Sequence, residues 1–260
     1  MGSAEIQGVL WGAAAGDWAN YQEATSVPLW HDVLYAARAG EGMKILDAGC
    51  GAGGACIEAA KLGCEVTGVD ASASLLAIAR QRLPQARFEQ ADLESLPFRN
   101  EEFDGAIAVN SVMYATDMQQ AIKELARVTR LHKRVAIASW GKPEDCEMRD
   151  VFSGIISILP SKPSGGGPFV LSAPGVLAAL IESSGLRFVE QGETRCDFSY
   201  PNIDICWRAL SSAGSLQAAM NAVGEAAVRE KVEDTARKYT DSSGAITFRN
   251  TFIWVVGERV

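Results

Sequence analysis

The stretch ILDAGCGAGG, residues 45–54, decides the fold. Met43–Ala48 is a short apolar run of strand character, and it passes directly into closely spaced glycines. From Gly54 to about Leu62 the pattern turns helical, so the segment reads strand, glycine turn, helix. Gly49, Gly51 and Gly53 carry no side chain, so the backbone there can lie close to a ligand. The helix that follows is expected to present free amides to an electronegative part of that ligand.

Outward from this segment, strands and helices alternate. Glu65–Asp70, Arg87–Ala91, Phe103–Asn110 and Arg134–Trp140 read as strands. Leu75–Leu83, with Ser72 or Ser74 as N-cap, and Met118–Thr129 read as helices. Pro28–Ala39 is a helix ahead of them, with Leu29, Val33, Leu34 and Ala37 on one face. This alternation predicts an α/β protein with a parallel sheet covered by helices on both faces. Beyond Trp140 the pattern loosens. Residues 147–159 are helical, KPSGGGP (162–168) is a loop, Gly175–Ser184 is a helix and Leu186–Cys196 a sixth strand. Helical spacing then fills 201–244, and Thr247–Val256 closes the chain as a strand. The expected organisation is a helical lid over 1–40, a ligand-binding core over 41–145 and a cap loop over 146–174. A core helix and strand six follow over 175–200, a helical cap over 201–244 and the last core strand over 245–260.

Composition narrows the function classes. Among 260 residues, 48% are apolar and 22% charged, the balance of a folded globular chain. The formal net charge of −8 does not suit a nucleic-acid binder. Arg127, Arg130, Lys133 and Arg134 form the densest basic stretch, and they suit a helix C-terminus. The six cysteines are irregularly spaced without a CxxC pair, so neither a metal nor a disulfide framework is expected. No apolar run is long enough to span a membrane, and MGSAEIQGVLWG has no basic-then-apolar leader. The expected location is cytoplasmic, and the sequence does not fix an oligomeric state.

The glycines alone leave two ligands open. Gly49, Gly51 and Gly54 satisfy GxGxxG, the dinucleotide fingerprint, and Asp70 stands where an acidic residue would hold ribose hydroxyls. An NAD-dependent oxidoreductase and a protein binding S-adenosylmethionine (SAM) both fit. Three features favour SAM. Asp47 would oppose a pyrophosphate but suits an ammonium. Asp92 can accept from an adenine amino group while Leu93 packs near the ring. Asn110 and Ser111 end a strand where a sulfonium would lie. A strand-end bond to local amides is the alternative role for Asp47, and a turn cap that for Asp92.

Residues 43–140 resemble class I SAM-dependent methyltransferases, in the branch acting on ubiquinone-like and natural-product acceptors. The matching stretches are ILDAGCGAGG, VTGVDAS, FEQADLESLPF, EEFDGAIAVNSVMYATD and VAIASWGKPED. The resemblance implies a Rossmann-like, doubly wound sheet of seven strands, mostly parallel, with an α-helical cap. FRNTFIWVVGE would then slot between strands five and six. It also gives Gly49 and Gly51 to the methionyl portion, with Cys50 between them in the cofactor site, Asp70 and Ala71 to the ribose and its surroundings, Asp92 and Leu93 to adenine, and Asn110 to the reactive methyl. One departure is Leu131-His132-Lys133, where the family commonly has Pro-Gly-Gly. A positive φ kept at that turn strains a non-glycine residue.

Methyl transfer depends on alignment and exclusion of water, with a base required only where the nucleophile must lose a proton. His31, Glu23 and Tyr114 are the candidate bases, although His31 points away from the apolar stripe of its helix. Trp18 is a candidate lid over SAM, or a core aromatic. Tyr21, Tyr114, Phe169 and Trp207 are candidate contacts to a small apolar or aromatic acceptor, of the kind found in secondary metabolism; they can equally be cap core. The acceptor atom, O, N or C, stays open, and so does a noncatalytic SAM-binding scaffold.

Overall fold

A computed structural model describes residues 3–161 and 167–260. The glycine loop read over 162–168 therefore lies largely outside the described residues. Nine strands are present among the described residues: β1 Lys44–Ala48, β2 Glu65–Asp70, β3 Arg87–Gln90, β4 Phe103–Val109, β5 Thr129–Trp140, β6 Leu186–Arg195, β7 Phe198–Tyr200, β8 Ile246–Phe248 and β9 Thr251–Arg259. Seven of them form one sheet in the order β3-β2-β1-β4-β5-β9-β6, and β7 pairs with β8 in a separate ribbon. The chain thus has the seven-stranded, mostly parallel Rossmann-like sheet. β9 runs antiparallel to both neighbours, β5 and β6.

The central strands are buried on both faces, which is why they read as apolar runs rather than alternations. Ile45, Leu46, Ile107 and Ile137 are all fully buried. Helices Val27–Ala36, Gly54–Lys61, Ala73–Arg82, Met118–Val128 and Val176–Ser183 flank the sheet. The chain winds outward from β1 to β2 and β3 on one side, and to β4 and β5 on the other. The order reverses between β1 and β4, so a crevice opens at their carboxyl ends, the place where open α/β sheets take ligands.

Two local differences from the sequence reading have physical causes. β5 begins at Thr129, five residues earlier than the expected Arg134, because Thr129 already pairs with Phe103 before the register shifts at Gly105. The irregularity holds His132 at φ 62°, the left-handed conformation that the missing glycine would have favoured. The single strand read over Thr247–Val256 is two strands. Asn250, 1% exposed, interrupts them; its side chain accepts from the Met148 amide at 3.1 Å and donates to the Phe248 carbonyl at 3.1 Å.

The N-terminal region is more ordered than its composition suggests. It comprises helix Ala4–Gly12, one turn Ala15–Asp17, a π-helical turn Trp18–Gln22 and a 3-10 turn Glu23–Ser26. This region packs against helices Ile203–Ser211 and Gly214–Val223, which lie outside the sheet. Arg208 pairs with Asp17 at 2.6 Å and lies 4.5 Å over the Tyr21 ring. Tyr200 donates its hydroxyl to Gln22 at 2.6 Å. No helix among the described residues is long and apolar enough to cross a membrane.

Candidate functional site

The glycine turn after β1 sits in the crevice, and its glycines are required by geometry. Gly49 and Gly51 have φ of 83° and 55°, and a Cβ on Gly49 would stand 2.2 Å from the Ser111 Cβ. The amides of the turn are not free, contrary to the expectation from the sequence. Those of Gly49 and Cys50 both donate to the Val69 carbonyl, at 2.8 and 2.9 Å. The Gly51 amide donates to Asp70 Oδ2 at 2.9 Å and the Ala52 amide to Glu23 Oε1 at 2.8 Å. Two carboxylates therefore already occupy the helix N-terminus, where a pyrophosphate would have to lie. Adding a polyanion there would set like charges against each other.

Asp70 ends β2 with its second oxygen accepting from the Ser72 amide at 2.8 Å. Burial raises its pKa, and the bonds from Ser72, Gly51 and Ala71 oppose that rise. Each carboxylate oxygen keeps a lone pair for a further donor such as a ribose hydroxyl. Asp47 lies beneath the turn, 2% exposed, and accepts from the Cys56 thiol at 3.3 Å. Burial raises its pKa to about 7, with Glu23 and Asp70 adding repulsion. The Cys56 thiol is itself held well above its usual range, so it stays a donor.

Two polar atoms beside the turn are buried without a partner: Trp18 Nε1 and Asn110 Oδ1. Trp18 Nε1 lies 3.4 Å from where a Gly51 Cβ would stand. Asn110 directly follows β4 with φ 52°, a conformation asparagine tolerates, and its neighbour Ser111 abuts Gly49. Trp18 Nε1 is a donor and Asn110 Oδ1 an acceptor, and buried polar groups of either kind ordinarily find partners.

Ala71, Gln90, Ala91 and Asp92 line one wall of a cleft of about 760 Å³, and helix Ala4–Gly12 supplies the other through Gly8, Val9 and Gly12. Gly8 and Gly12 let that helix lie close on the β2 end: a Cβ on Gly8 would come within 2.5 Å of the Ala71 carbonyl. Asp92 faces this cleft while one oxygen accepts from the Glu94 amide at 3.0 Å, so it serves as a turn cap with one oxygen to spare. Leu93 is half-buried and packs on the main core.

Several candidate residues are placed otherwise than the sequence suggested. Ser111 donates to the Ala48 carbonyl at 2.6 Å and is 8% exposed, so it fastens the β4 end to the β1 end. Ser111→Ala is expected to cost about 1 kcal/mol in urea unfolding while leaving cofactor affinity unchanged. The Cys50 side chain is buried toward Gly68, where an added Cβ would approach its sulfur to 2.8 Å. His31 is 57% exposed and pairs with Glu58 at 3.0 Å on the outer helical layer, outside the crevice. Glu23 is 5% exposed and tied to Arg82 at 2.7 Å as well as to Ala52. Burial raises its pKa against the pull of Arg82, and its oxygens are engaged rather than free to take a proton. Tyr114 packs edge-on to Trp11 with centroids 5.4 Å apart, and burial lifts its hydroxyl to about 12, so it keeps its proton.

Tyr21 is stacked under Arg208, and Trp207 is buried with Arg229 5.8 Å over its ring. Phe169 joins an aromatic cluster with Trp140 and Phe152, at 5.9 and 5.8 Å. Trp140 ends β5 and also meets Phe198 and Phe252. Arg82 was not singled out in the sequence. It stands 59 residues from Glu23 in the last turn of its helix, where a cation is unremarkable. The described residues contain no cluster of three or more metal-ligating side chains.

Residues 46–137 match the methyltransferase-domain family. An uncharacterized protein of Mycobacterium tuberculosis is 35% identical over 131 residues, which is 49% of this chain and 48% of that protein. The malonyl-acyl-carrier-protein O-methyltransferase of Enterobacter lignolyticus is 34% identical over 112 residues, 43% of this chain and 45% of its own. The chain spans about half the length of the curated relatives it matches. Among solved structures, the 4+2 cyclase SpnF has a TM-score of 0.59 at 19% identity, covering 89% of this chain and 80% of its own. The geranyl diphosphate C-methyltransferase of Streptomyces coelicolor, in complex with Mg2+, geranyl diphosphate and S-adenosyl-L-homocysteine, scores 0.51 at 16% identity, covering 89% and 78%. At such identities the structures establish the fold. The fold is the one these solved structures share. The match to the methyltransferase-domain family covers residues 46–137 and leaves the rest of the chain outside it.

Proposed function

We propose that the whole chain transfers a methyl group from SAM to O, N or C of a small, apolar or aromatic acceptor. The observation that carries this reading is the pair of unpartnered buried atoms, Trp18 Nε1 and Asn110 Oδ1, together with a glycine turn that Asp47 and Asp70 flank. Trp18 would donate to the carboxylate of the methionyl tail and Asn110 would accept from its cationic side. Asp70 would hold the ribose and Asp92 the adenine amino group. When bound, SAM supplies an electrophilic methyl on a sulfonium. The protein's share is alignment and exclusion of water, which can lower a barrier by several kcal/mol without any covalent role.

None of the three candidate bases is placed to accept a proton. Glu23 is tied to Arg82 and Ala52, His31 is outside the crevice, and Tyr114 stays protonated. This arrangement favours an acceptor that is already nucleophilic at neutral pH, such as a carboxylate or an acidic enol or phenol.

Isothermal titration tests the reading: SAM is expected to bind the wild type in the micromolar range, and NADH, followed by its fluorescence, is expected not to bind. Release of S-adenosylhomocysteine (SAH) across a panel of small carboxylates, phenols and enols is the check on turnover. NADH binding without SAM binding would move the chain to the oxidoreductases, and SAM binding with no turnover would make it a scaffold.

A further inference from the structure

The Glu23–Arg82 pair joins three separate segments at the cofactor crevice. Glu23 comes from the N-terminal region, with only 6% of its side chain exposed. Its Oε1 accepts from the Ala52 amide at 2.8 Å and its Oε2 from Arg82 Nη1 at 2.7 Å. The amides of Ala52 and Gly54 both favour its charged form, so this carboxylate caps the glycine-turn helix from a distant part of the chain. Gly53, the residue preceding that helix, makes no side-chain cap of its own. Arg82 ends the helix after β2 and also donates to the Ala19 carbonyl at 2.7 Å and the Ala52 carbonyl at 3.3 Å. Arg82 therefore ties the segment next to Trp18 to the glycine turn. Trp18 Nε1 and Glu23 Oε1 are the two atoms that a Cβ on Gly51 would meet, at 3.4 and 3.2 Å. The same N-terminal region is fixed to helix Ile203–Ser211 through Asp17–Arg208 and to β7 through Tyr200–Gln22.

We infer that Glu23 and Arg82 are positioning residues for methyl transfer: together they latch the Trp18 segment over the glycine turn and set how long the cofactor stays bound. The inference rests on the SAM reading above. A buried carboxylate whose paired cation, Arg82, is 30% exposed at the rim is suited to opening and reclosing, because water can replace Arg82 when the segment lifts. Loss of either partner leaves the other with an uncompensated charge, so the segment should spend much more time open.

The test compares wild type with Glu23→Gln, Arg82→Met and the conservative Arg82→Lys, after unfolding curves confirm that each is folded. Stopped-flow tryptophan fluorescence reads the release of SAH, and hydrogen exchange reads the ligand-free protein. Release is expected to accelerate about tenfold or more in Glu23→Gln and Arg82→Met, with KM rising for SAM and not for the acceptor, and Arg82→Lys is expected to recover part of the loss. Exchange of the Ala52 amide and of residues 18–26 should accelerate together, while β4 and β5 stay protected. Folded variants with unchanged release overturn the inference. So does faster exchange with unchanged release, which would reduce the pair to a structural tie. Were the wild type to bind no SAH at all, the SAM reading itself would fall, while the exchange arm would still report whether the segment is latched.

Discussion

Asp70→Ala is expected to weaken SAM binding by roughly 100- to 1000-fold, the loss of two hydrogen bonds to a carboxylate at about 1.5–2 kcal/mol each. The size follows from where Asp70 stands. It ends β2 beside the glycine turn, both its oxygens are fixed by the Gly51 and Ser72 amides, and lone pairs remain to accept from vicinal hydroxyls. Those amide bonds hold the carboxylate in place before the ligand arrives, so little ordering entropy is lost on binding. Removing the side chain has a second consequence. It leaves the Gly51 and Ser72 amides without their partner, costing about 1–3 kcal/mol of stability if water cannot replace it. Asp70→Asn separates the two effects, since its carbonyl oxygen can keep one amide bond. It should be nearly as stable as wild type yet bind SAM roughly tenfold more weakly, having lost the charge. Titration calorimetry on variants matched by their urea midpoints is the measurement. An Asp70→Ala protein that binds SAM as tightly as wild type would remove the ribose role from this residue.

How much of this was visible in the sequence depends on the distance over which each feature is encoded. The β1 segment, the glycine turn and the helix from Gly54 are contiguous, and they were legible because period, glycine spacing and length agree locally. Asp117, which caps helix Met118–Val128 by accepting from the Gln120 amide at 2.9 Å, was not singled out in the sequence. The position of β9 between β5 and β6 could be placed only by the family resemblance, since no local signal pairs strands so far apart. The split of the last strand was hidden because Phe248 and Thr251 look alike in propensity. What divides them is the side chain of Asn250 reaching the start of helix Met148–Ile158, about 100 residues earlier. The candidate site divides the same way. Asp47, Asp70 and Asn110 sit at strand ends that a parallel sheet must bring together. Glu23 looked like a free base because nothing near it in sequence is cationic, and only folding places Arg82 against it. Ser111 and Cys50 were assigned to the ligand by position in a motif, whereas the direction of their side chains, back into the sheet, follows from packing at Ala48 and Gly68.

Asp47→Asn is expected to abolish a loss of stability that the ligand-free wild type suffers between acid and neutral pH. The native pKa of Asp47 is raised from 3.8 to about 7 by burial, so the folded protein keeps a proton that the unfolded chain gives up. Stability from this group is therefore fully present below pH 3.8 and is lost as pH rises through about 7. Across that window the loss is on the order of 4 kcal/mol, and no solvent discount applies to a side chain only 2% exposed. Asparagine has nearly the same shape and no proton to lose. The difference in unfolding free energy between variant and wild type should therefore grow in favour of the variant from pH 5 to pH 8. Urea titrations at fixed pH values measure it. Glu23 and Asp70 are raised as well, and Glu58, Asp104 and Glu124 lowered, so only the difference between the two proteins isolates Asp47. Asp47 would be retained despite this cost because a cation over the glycine turn favours its charged form. SAM binding near pH 6 should then release a proton from the wild type and none from Asp47→Asn, which calorimetry in buffers of different ionisation enthalpy detects. A variant whose stability follows the wild-type pH dependence in parallel would show that Asp47 keeps an ordinary carboxylate pKa beneath the turn.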